Sequence, residues 1–189
     1  MQVNIIQKGR GWNLAPSTGE SWGGNLVLHF RPVGLVFEMH DITGEYLPGV
    51  PWLEPKRFVH TYRKAKALNI PIIGLDEYEF EGLKFQKYPM REIVEEFDET
   101  LFSCTTDYML AYAIYKKYDK IDVYGVNVEM GEEYYFERPS VEFWRGMAKG
   151  RRIDINFHGP TTVGKSKKSI VYGYLKTQDE IKEWLSNEK

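Results

Sequence analysis

Cysteine is almost absent from this chain of 189 residues, in which Cys104 has no second thiol to pair with. A single thiol can form neither an intrachain disulfide nor a metal site built from several thiolates. Long apolar runs are lacking too, because no stretch approaches the roughly 18 residues that a membrane-spanning helix needs, and the N-terminal segment has no signal-peptide core. We therefore expect a cytoplasmic protein without a membrane span.

An excess of positive charge is also missing. The formal net charge is −2 at pH 7. Non-specific nucleic-acid binding grows with the number of phosphates that Lys and Arg neutralise, so this charge argues against a general nucleic-acid-binding protein. Aromatic residues, in contrast, make up 15% of the chain. Their rings stack on bases and sugars, although a place in the core is the simpler explanation for any one ring.

Residues 103–152 show the clearest pattern in the chain. Apolar residues at helical spacing from Met109 predict a helix, and the short apolar segment 121–126 predicts a buried strand. Residues 129–138 are too polar for a core, and Pro139 suits the first turn of a second helix. The order helix, strand, loop, helix is half of a doubly wound α/β domain.

The rest of the chain continues this alternation. Further strands are predicted at 3–7, 26–30, 34–41, 70–75 and 152–156, and further helices at 54–68, at 89–97 and from 177 onward. Residues 77–87 are predicted to be irregular, and 169–175 to be an extended edge segment. Together these elements predict one α/β, Rossmann-like domain over residues 1–189, with a mostly parallel sheet of about six strands and helices on both faces.

Polar residues collect at the predicted strand ends, where open α/β sheets bind ligands. Gly9 and Gly11 follow the first strand in a turn that lets the backbone approach a phosphate, and a plain tight turn is the alternative. A dinucleotide fingerprint would need a third glycine at the start of a helix, so an NAD site is not expected. Asp41 ends the third predicted strand beside His40, as a metal or ribose contact or simply as a satisfied strand end.

Three hydroxyl residues precede or begin the helix of the 103–152 segment, namely Ser103, Thr105 and Thr106. Since the dipole at a helix N-terminus favours an anion, they suit a phosphorylated ligand. Arg138 suits either a phosphate or an ion pair with a neighbouring glutamate. The alternatives for Tyr134 and Tyr135 are rings packed on the sheet edge, and for His158 a capping or solvent-facing ring.

Several motifs together carry a resemblance to known families. They are 9–14 (GRGWNL), 22–25 (WGGN), 103–111 (SCTTDYMLA), 121–127 (IDVYGVN), and 133–134 with 138–139 (EY and RP). These motifs resemble a group of small phage-encoded Rossmann-like proteins. More distantly, the chain is similar to the MptE-like hydroxymethylpterin pyrophosphokinases and to the bacterial sialyltransferases that use CMP-sialic acid.

The sialyltransferase resemblance implies a set of site residues. The residues that would bind the nucleotide phosphate, the nucleotide or the donor sugar are Gly9, Gly11, Asn13, Asn25, Ser103, Thr105 and Thr106. Tyr134 or Tyr135 would hydrogen-bond the leaving phosphate, and His158 would take the proton from the acceptor hydroxyl, a role that suits an imidazole at neutral pH. Asn127 stands where the relatives tend to carry Asp, which argues against a magnesium site there.

These features predict a nucleotide- or nucleotide-sugar-utilising transferase that acts on a hydroxyl acceptor, with no cofactor and no metal-binding residues. The binding set also includes Asp41, Asn127 and Arg138. The alternative is a non-catalytic protein that binds a nucleotide or a signalling molecule, and a protein with a vestigial pocket is a third possibility. A homo-oligomer is compatible with the sequence. If the chain is phage-encoded, the compartment is the host cytoplasm.

Overall fold

The protein is described here from a computed structural model that covers residues 1–40, 42, 58–131, 133–165 and 170–187. Eight strands form the main sheet: β1 (Gln2–Ile6), β2 (Ser21–Gly24), β3 (Leu35–Glu38), β4 (Ile72–Gly74), β5 (Tyr78–Phe80), β6 (Leu83–Lys87), β7 (Lys120–Tyr124) and β8 (Asp154–His158). Their spatial order is β5-β6-β4-β3-β2-β1-β7-β8. Neighbouring strands run parallel except for the antiparallel pair β5 and β6.

The helices are α1 (Val59–Ala67), α2 (Met90–Phe97), α3 (Thr105–Tyr115), α4 (Arg138–Gly150) and α5 (Gln178–Asn187). Short 3₁₀ helices at Trp12–Leu14 and Asn25–His29 follow β1 and β2, and a π-helical turn at Glu133–Glu137 leads into α4. Two short strands, β9 (Ile170–Val171) and β10 (Lys176–Thr177), pair antiparallel ahead of α5.

Helices cover both faces of the main sheet because its strands are apolar on both sides. In β1, Val3 and Ile5 pack in a core shared with α3 and α4, whereas Ile6 points to the other side, where α1 and the 3₁₀ helix Asn25–His29 lie. Among the residues that the structure describes, Trp144 of α4 is the largest fully buried side chain. The predicted α/β fold class is confirmed and is consistent with a Rossmann-like arrangement, with eight strands rather than about six.

The predicted strand at 26–30 is wrong. Those residues form the 3₁₀ helix Asn25–His29, and the strand is instead β2 (Ser21–Gly24). An apolar run of five residues fits either a buried strand or a buried helical turn, so its composition did not decide between them. Gly24 in the true strand lies against Gln7, where a Cβ atom would come within 2.2 Å of the Gln7 Oε1 atom.

Residues 77–87 were predicted to be irregular, and this prediction is wrong. They contain the antiparallel hairpin of β5 and β6. Glu81 and Gly82 turn the chain with φ angles of +48° and +79°, the positive values that two-residue hairpin turns require. The predicted strand at 152–156 is displaced by two residues, so that His158 ends β8 rather than lying in the following loop. The start of the helix predicted at 54–68 lies outside the described residues, and α1 begins at Val59.

Candidate functional site

A cleft of about 500 Å³ opens at the carboxyl edge of the main sheet. It lies where β1 and β7 are adjacent although more than one hundred residues separate them, which is the point at which the strand order reverses. Such switch points are where open α/β sheets bind ligands. The cleft brings together six of the residues that the sequence predicted, namely Gly9, Asn25, Ser103, Thr105, Thr106 and Asn127.

The Gly9 turn interlocks with the segment after β7. A Cβ atom on Gly9 would lie 2.3 Å from both the Asn127 Oδ1 atom and the Gly125 carbonyl oxygen, so only glycine fits there without a shift. The Gly9 N–H donates to the Gly125 carbonyl at 2.9 Å, and the Arg10 N–H donates to Asn127 Oδ1 at 2.7 Å. These two N–H groups already donate to protein oxygens, so they are not available to a ligand. The glycine instead allows a ligand to come close to the backbone of the turn.

The side chain of Asn127 forms hydrogen bonds with two other loops, at Arg10 and at Pro160. Besides accepting from Arg10, its Nδ2 donates to the Arg10 carbonyl at 3.3 Å and to the Pro160 carbonyl. A carboxylate could accept but could not donate. The contacts therefore explain in structural terms why an amide stands here, where the resembling families tend to carry Asp.

Val128, the next residue, has a strained backbone. Its φ is +46°, an uncommon value for a residue branched at Cβ, and it forms part of the cleft wall. The Thr162 hydroxyl donates to the Val128 carbonyl at 3.0 Å. Strain of this kind costs of order 1–3 kcal/mol and clusters at functional sites. Reasoning from the sequence missed it, because nothing in the local residue types signals a left-handed valine.

The N-terminus of α3 forms another wall. The Asp107 carboxylate caps it by accepting from the N–H groups of Ser103 at 2.7 Å and Cys104 at 3.0 Å, and Ser140 Oγ donates to the same oxygen at 2.7 Å. Burial raises the pKa of Asp107 to about 6 against the opposing effect of these hydrogen bonds. Thr105 and Asn25 both line the cleft, and the Thr105 hydroxyl donates to Asn25 Oδ1 at 3.3 Å.

Cys104 also lines the cleft, and its thiol is buried. Burial raises its pKa well above the usual range, and the charges of Asp107 and Glu137 act in the same direction. Since the thiolate and not the thiol is the nucleophile, this cysteine is poorly suited to covalent catalysis.

Sequence reasoning also missed the pairing of Glu38 with His40. The Glu38 Oε1 atom lies 2.5 Å from His40 Nδ1, and His40 lines the cleft together with Met39. The sequence did contain an indication of this pairing, because residues i and i+2 of a strand point to the same face of the sheet, and Glu38 and His40 have this spacing. Asp41, the predicted neighbour, lies outside the described residues.

Six of the predicted residues that the structure describes are not among those that line the cleft, namely Gly11, Asn13, Tyr134, Tyr135, Arg138 and His158. His158 binds Asp122 through Nε2 at 2.7 Å, and its ring stacks on Tyr124 with the centroids 4.5 Å apart. Gly11 lies against Gly159 and Pro160, where a Cβ atom would approach to 3.4 and 3.2 Å. Asn13 is exposed in the 3₁₀ helix Trp12–Leu14. The binding and catalytic roles of these residues stay predictions.

The π-helical turn presents its tyrosines outward. Tyr135 is 71% exposed, and the Arg138 guanidinium lies over the Tyr134 ring at 5.1 Å from the centroid. Arg138 also donates to the Lys165 carbonyl at 3.2 Å. The residues of this turn that reach the cleft are instead Glu133 and Glu137.

No three His, Cys, Asp or Glu side chains gather in a metal-binding geometry within the described ranges. In the same part of the chain, none of the helices combines the length and the apolar character needed to cross a bilayer.

Comparison with known proteins gave no match to a family model and no curated relative. Among solved structures, the chain is similar to the thiamine pyrophosphokinase of Bacillus subtilis, at 16% identity with a TM-score of 0.44, over 84% of this chain and 60% of that one. It is also similar to the sialyltransferase CstII of Campylobacter jejuni, at 12% identity with a TM-score of 0.43, over 93% of this chain and 85% of that one. The chain thus spans only 60% of the pyrophosphokinase. The two neighbours are a pyrophosphokinase and a sialyltransferase, the two kinds of enzyme to which the sequence predicts a distant similarity.

Proposed function

We propose that residues 1–189 form one nucleotide-binding domain that acts as a nucleotide- or nucleotide-sugar-utilising transferase on a hydroxyl acceptor. The observation that carries this proposal is the cleft at the carboxyl edge of the sheet, in which the Gly9 turn and the start of α3 face the same space. Its volume of about 500 Å³ falls within the range of small-molecule sites.

The donor phosphate fits at the start of α3. The dipole at this end of the helix favours an anion, and Ser103, Thr105 and Thr106, which line the cleft here, carry hydroxyls that can donate to a phosphate. Lys8 supplies a positive charge on the cleft wall. Glu133 and Glu137 line the same cleft, and carboxylates accept hydrogen bonds from sugar hydroxyls.

Isothermal titration calorimetry with CMP, UDP, ADP and GDP tests the binding step. We expect at least one nucleotide to bind, and Lys8→Ala to weaken that binding by about 3- to 10-fold at low salt, because one charge contact with the phosphate is lost. Lys149→Ala is the matched control, since Lys149 is exposed on α4 and is not among the residues that line the cleft. No binding of any of the four nucleotides at millimolar concentration would rule out the proposal.

A second candidate function is a binding protein that holds a nucleotide or signalling molecule without transforming it. The observation in its favour is that the predicted base, His158, is bonded to Asp122 and is not among the residues that line the cleft. A phage-encoded origin, implied by the motif resemblance, would place this activity in the host cytoplasm. Recovery of an intact nucleotide sugar after long incubation with hydroxyl acceptors would favour the binding protein, and release of the nucleotide would favour the transferase.

A further inference from the structure

Glu38 occupies an unusual position for a carboxylate. It ends β3 with its side chain 0% exposed, and it interacts with a second buried polar side chain, Tyr62, whose pKa is raised by burial and also by Glu38. A buried carboxylate is costly, and a well-packed apolar residue in its place is often as stable or more stable. A glutamate is therefore not expected here for its contribution to stability. We look for its role in its contact with His40, in which the carboxylate oxygen lies 2.5 Å from Nδ1.

The imidazole of His40 is held in a defined orientation. Its Nδ1 atom faces the Glu38 carboxylate, and its ring stacks on Phe58 with an interplanar angle of 19° and a centroid distance of 5.2 Å. The side chain is 22% exposed and lines the cleft. When Nδ1–H donates to Glu38, the lone pair of the neutral ring is on Nε2, because the bond made by one ring nitrogen sets the protonation of the other.

We propose that His40 is the catalytic base of the cleft and that Glu38 is its positioning residue. This inference rests on the transferase function proposed above. For a nucleotide-sugar donor, His40 Nε2 takes the proton of the acceptor hydroxyl while the hydroxyl oxygen forms a bond to the anomeric carbon. The bond between the anomeric carbon and the phosphate oxygen breaks, its electron pair leaves with the nucleotide phosphate, and the proton on Nε2 passes to solvent.

The other carboxylate-bound histidine, His158, offers an internal comparison. There the carboxylate of Asp122 engages Nε2 rather than Nδ1, and the ring is not among the groups that line the cleft. Both histidines are bound to a carboxylate, but of the two only His40 lines the cleft, and we therefore assign the base to His40.

NMR spectroscopy of the imidazole groups tests the placement of His40 without a known substrate. The chain has only four histidines, so His29→Gln, His60→Gln and His158→Gln assign the His40 signals by elimination, without a variant at His40 itself. Long-range ¹H–¹⁵N spectra should show the neutral His40 ring protonated on Nδ1, and Glu38→Gln should change that tautomer ratio. Adding whichever of CMP, UDP, ADP or GDP binds should shift the His40 signals and leave those of the exposed His60 in place.

The outcomes separate this inference from the proposed function. If none of the nucleotides binds by calorimetry, the transferase proposal fails first. If one binds but the His40 signals do not move, or if the neutral ring carries its proton on Nε2, the transferase proposal stands and the assignment of His40 is overturned.

Turnover of the matching nucleotide sugar provides the second readout. We expect His40→Gln to lower kcat by about 100-fold or more, as loss of a general base does, with KM for the donor changed less than about threefold. His60→Gln should leave kcat unchanged, because His60 is exposed and is not among the residues that line the cleft. Loss of turnover in His158→Gln together with normal turnover in His40→Gln would overturn the assignment, and so would the absence of any turnover of a donor that binds.

Discussion

Asp122 accepts a hydrogen bond from His158 Nε2 at 2.7 Å on the face of the main sheet away from α3 and α4. Its other oxygen receives Gln2 Nε2 at 3.0 Å and lies 3.4 Å from Lys120 Nζ. Because the Asp122 side chain is only 5% exposed, these three partners replace most of its contact with water. His158 therefore has a clear structural task apart from any role in catalysis.

Removing the His158 ring should weaken the fold. We expect His158→Ala to lower the free energy of unfolding by about 1–3 kcal/mol, because a nearly buried carboxylate loses a hydrogen-bond partner. His158→Gln retains a donor and should lose less. Urea denaturation measures the stability, and calorimetry with a bound nucleotide should give unchanged affinity. An alanine variant of normal stability but weakened nucleotide binding would show that the ring serves the cleft after all.

Changing Asn127 to Asp should also destabilise the protein. The carboxylate would face the carbonyl oxygens of Arg10 and Pro160 without a donor for either, so we expect a loss of about 1–3 kcal/mol in the free energy of unfolding. Asn13→Asp is the matched control, since Asn13 is exposed, and it should change stability by less than about 0.5 kcal/mol. Equal stability of the two variants would show that the loop contacts of Asn127 are unimportant.

Two glycines should respond to alanine in opposite directions. Gly9→Ala places Cβ 2.3 Å from two oxygen atoms and should cost about 1–3 kcal/mol of stability, as forced packing does. Gly146→Ala lies within α4, where the new Cβ meets no described atom within 4 Å, and should stabilise the helix by about 0.5–1 kcal/mol. Thermal unfolding of both variants measures the difference, and a Gly9→Ala protein as stable as the wild type would contradict the interlocked turn.

Asp107 should make stability depend on pH. Burial raises its pKa to about 6 in the folded protein, above the value of about 3.9 typical of an unfolded chain, so the folded state binds the proton more tightly. Its contribution to stability is fully present below pH 4 and is lost as the pH rises through 6, a change of about 2–3 kcal/mol.

The variant Asp107→Asn isolates this effect. The free energy of unfolding of the wild type should fall relative to that of Asp107→Asn between pH 4 and pH 6, as measured by urea denaturation at several pH values. Asp179→Asn is the control, because Asp179 is 91% exposed on α5, and its curve should run parallel to that of the wild type. Parallel curves for Asp107→Asn as well would mean that Asp107 titrates as an ordinary aspartate.

Local patterns predicted the central elements well. The helical spacing after Met109 gave α3, and the apolar segment around Val123 gave β7, since both signals arise from neighbouring residues. The same reasoning failed where a short apolar run has two solutions, as at Leu26 to Phe30. It also failed for β5 and β6, although the pair Glu81 and Gly82 is a turn signal that the sequence offered.

The site was predictable only in part. Residues that follow β1, β2 and β7, such as Gly9, Asn25 and Asn127, do share the cleft, because parallel strands end at the same edge. The side on which His158 points follows from its alternation with Ile155 and Phe157, which pack towards the core of α3 and α4. The alternation could be recognised in the sequence. Where it places His158 could not, because that depends on which helices cover each face of the sheet.

The amino-acid sequence by itself determined the helices and strands of the centre and the chemical types at the strand ends, because periodicity and turn residues act over a few positions. Only the tertiary structure decided that β7 lies beside β1, that Glu38 is buried against His40, and that His158 turns to Asp122. Contacts of this kind join segments far apart in the chain or depend on which face of a strand is covered. A local pattern can show which side chains share one side of a strand, but the packing of the whole sheet decides which side is covered and which segments meet there.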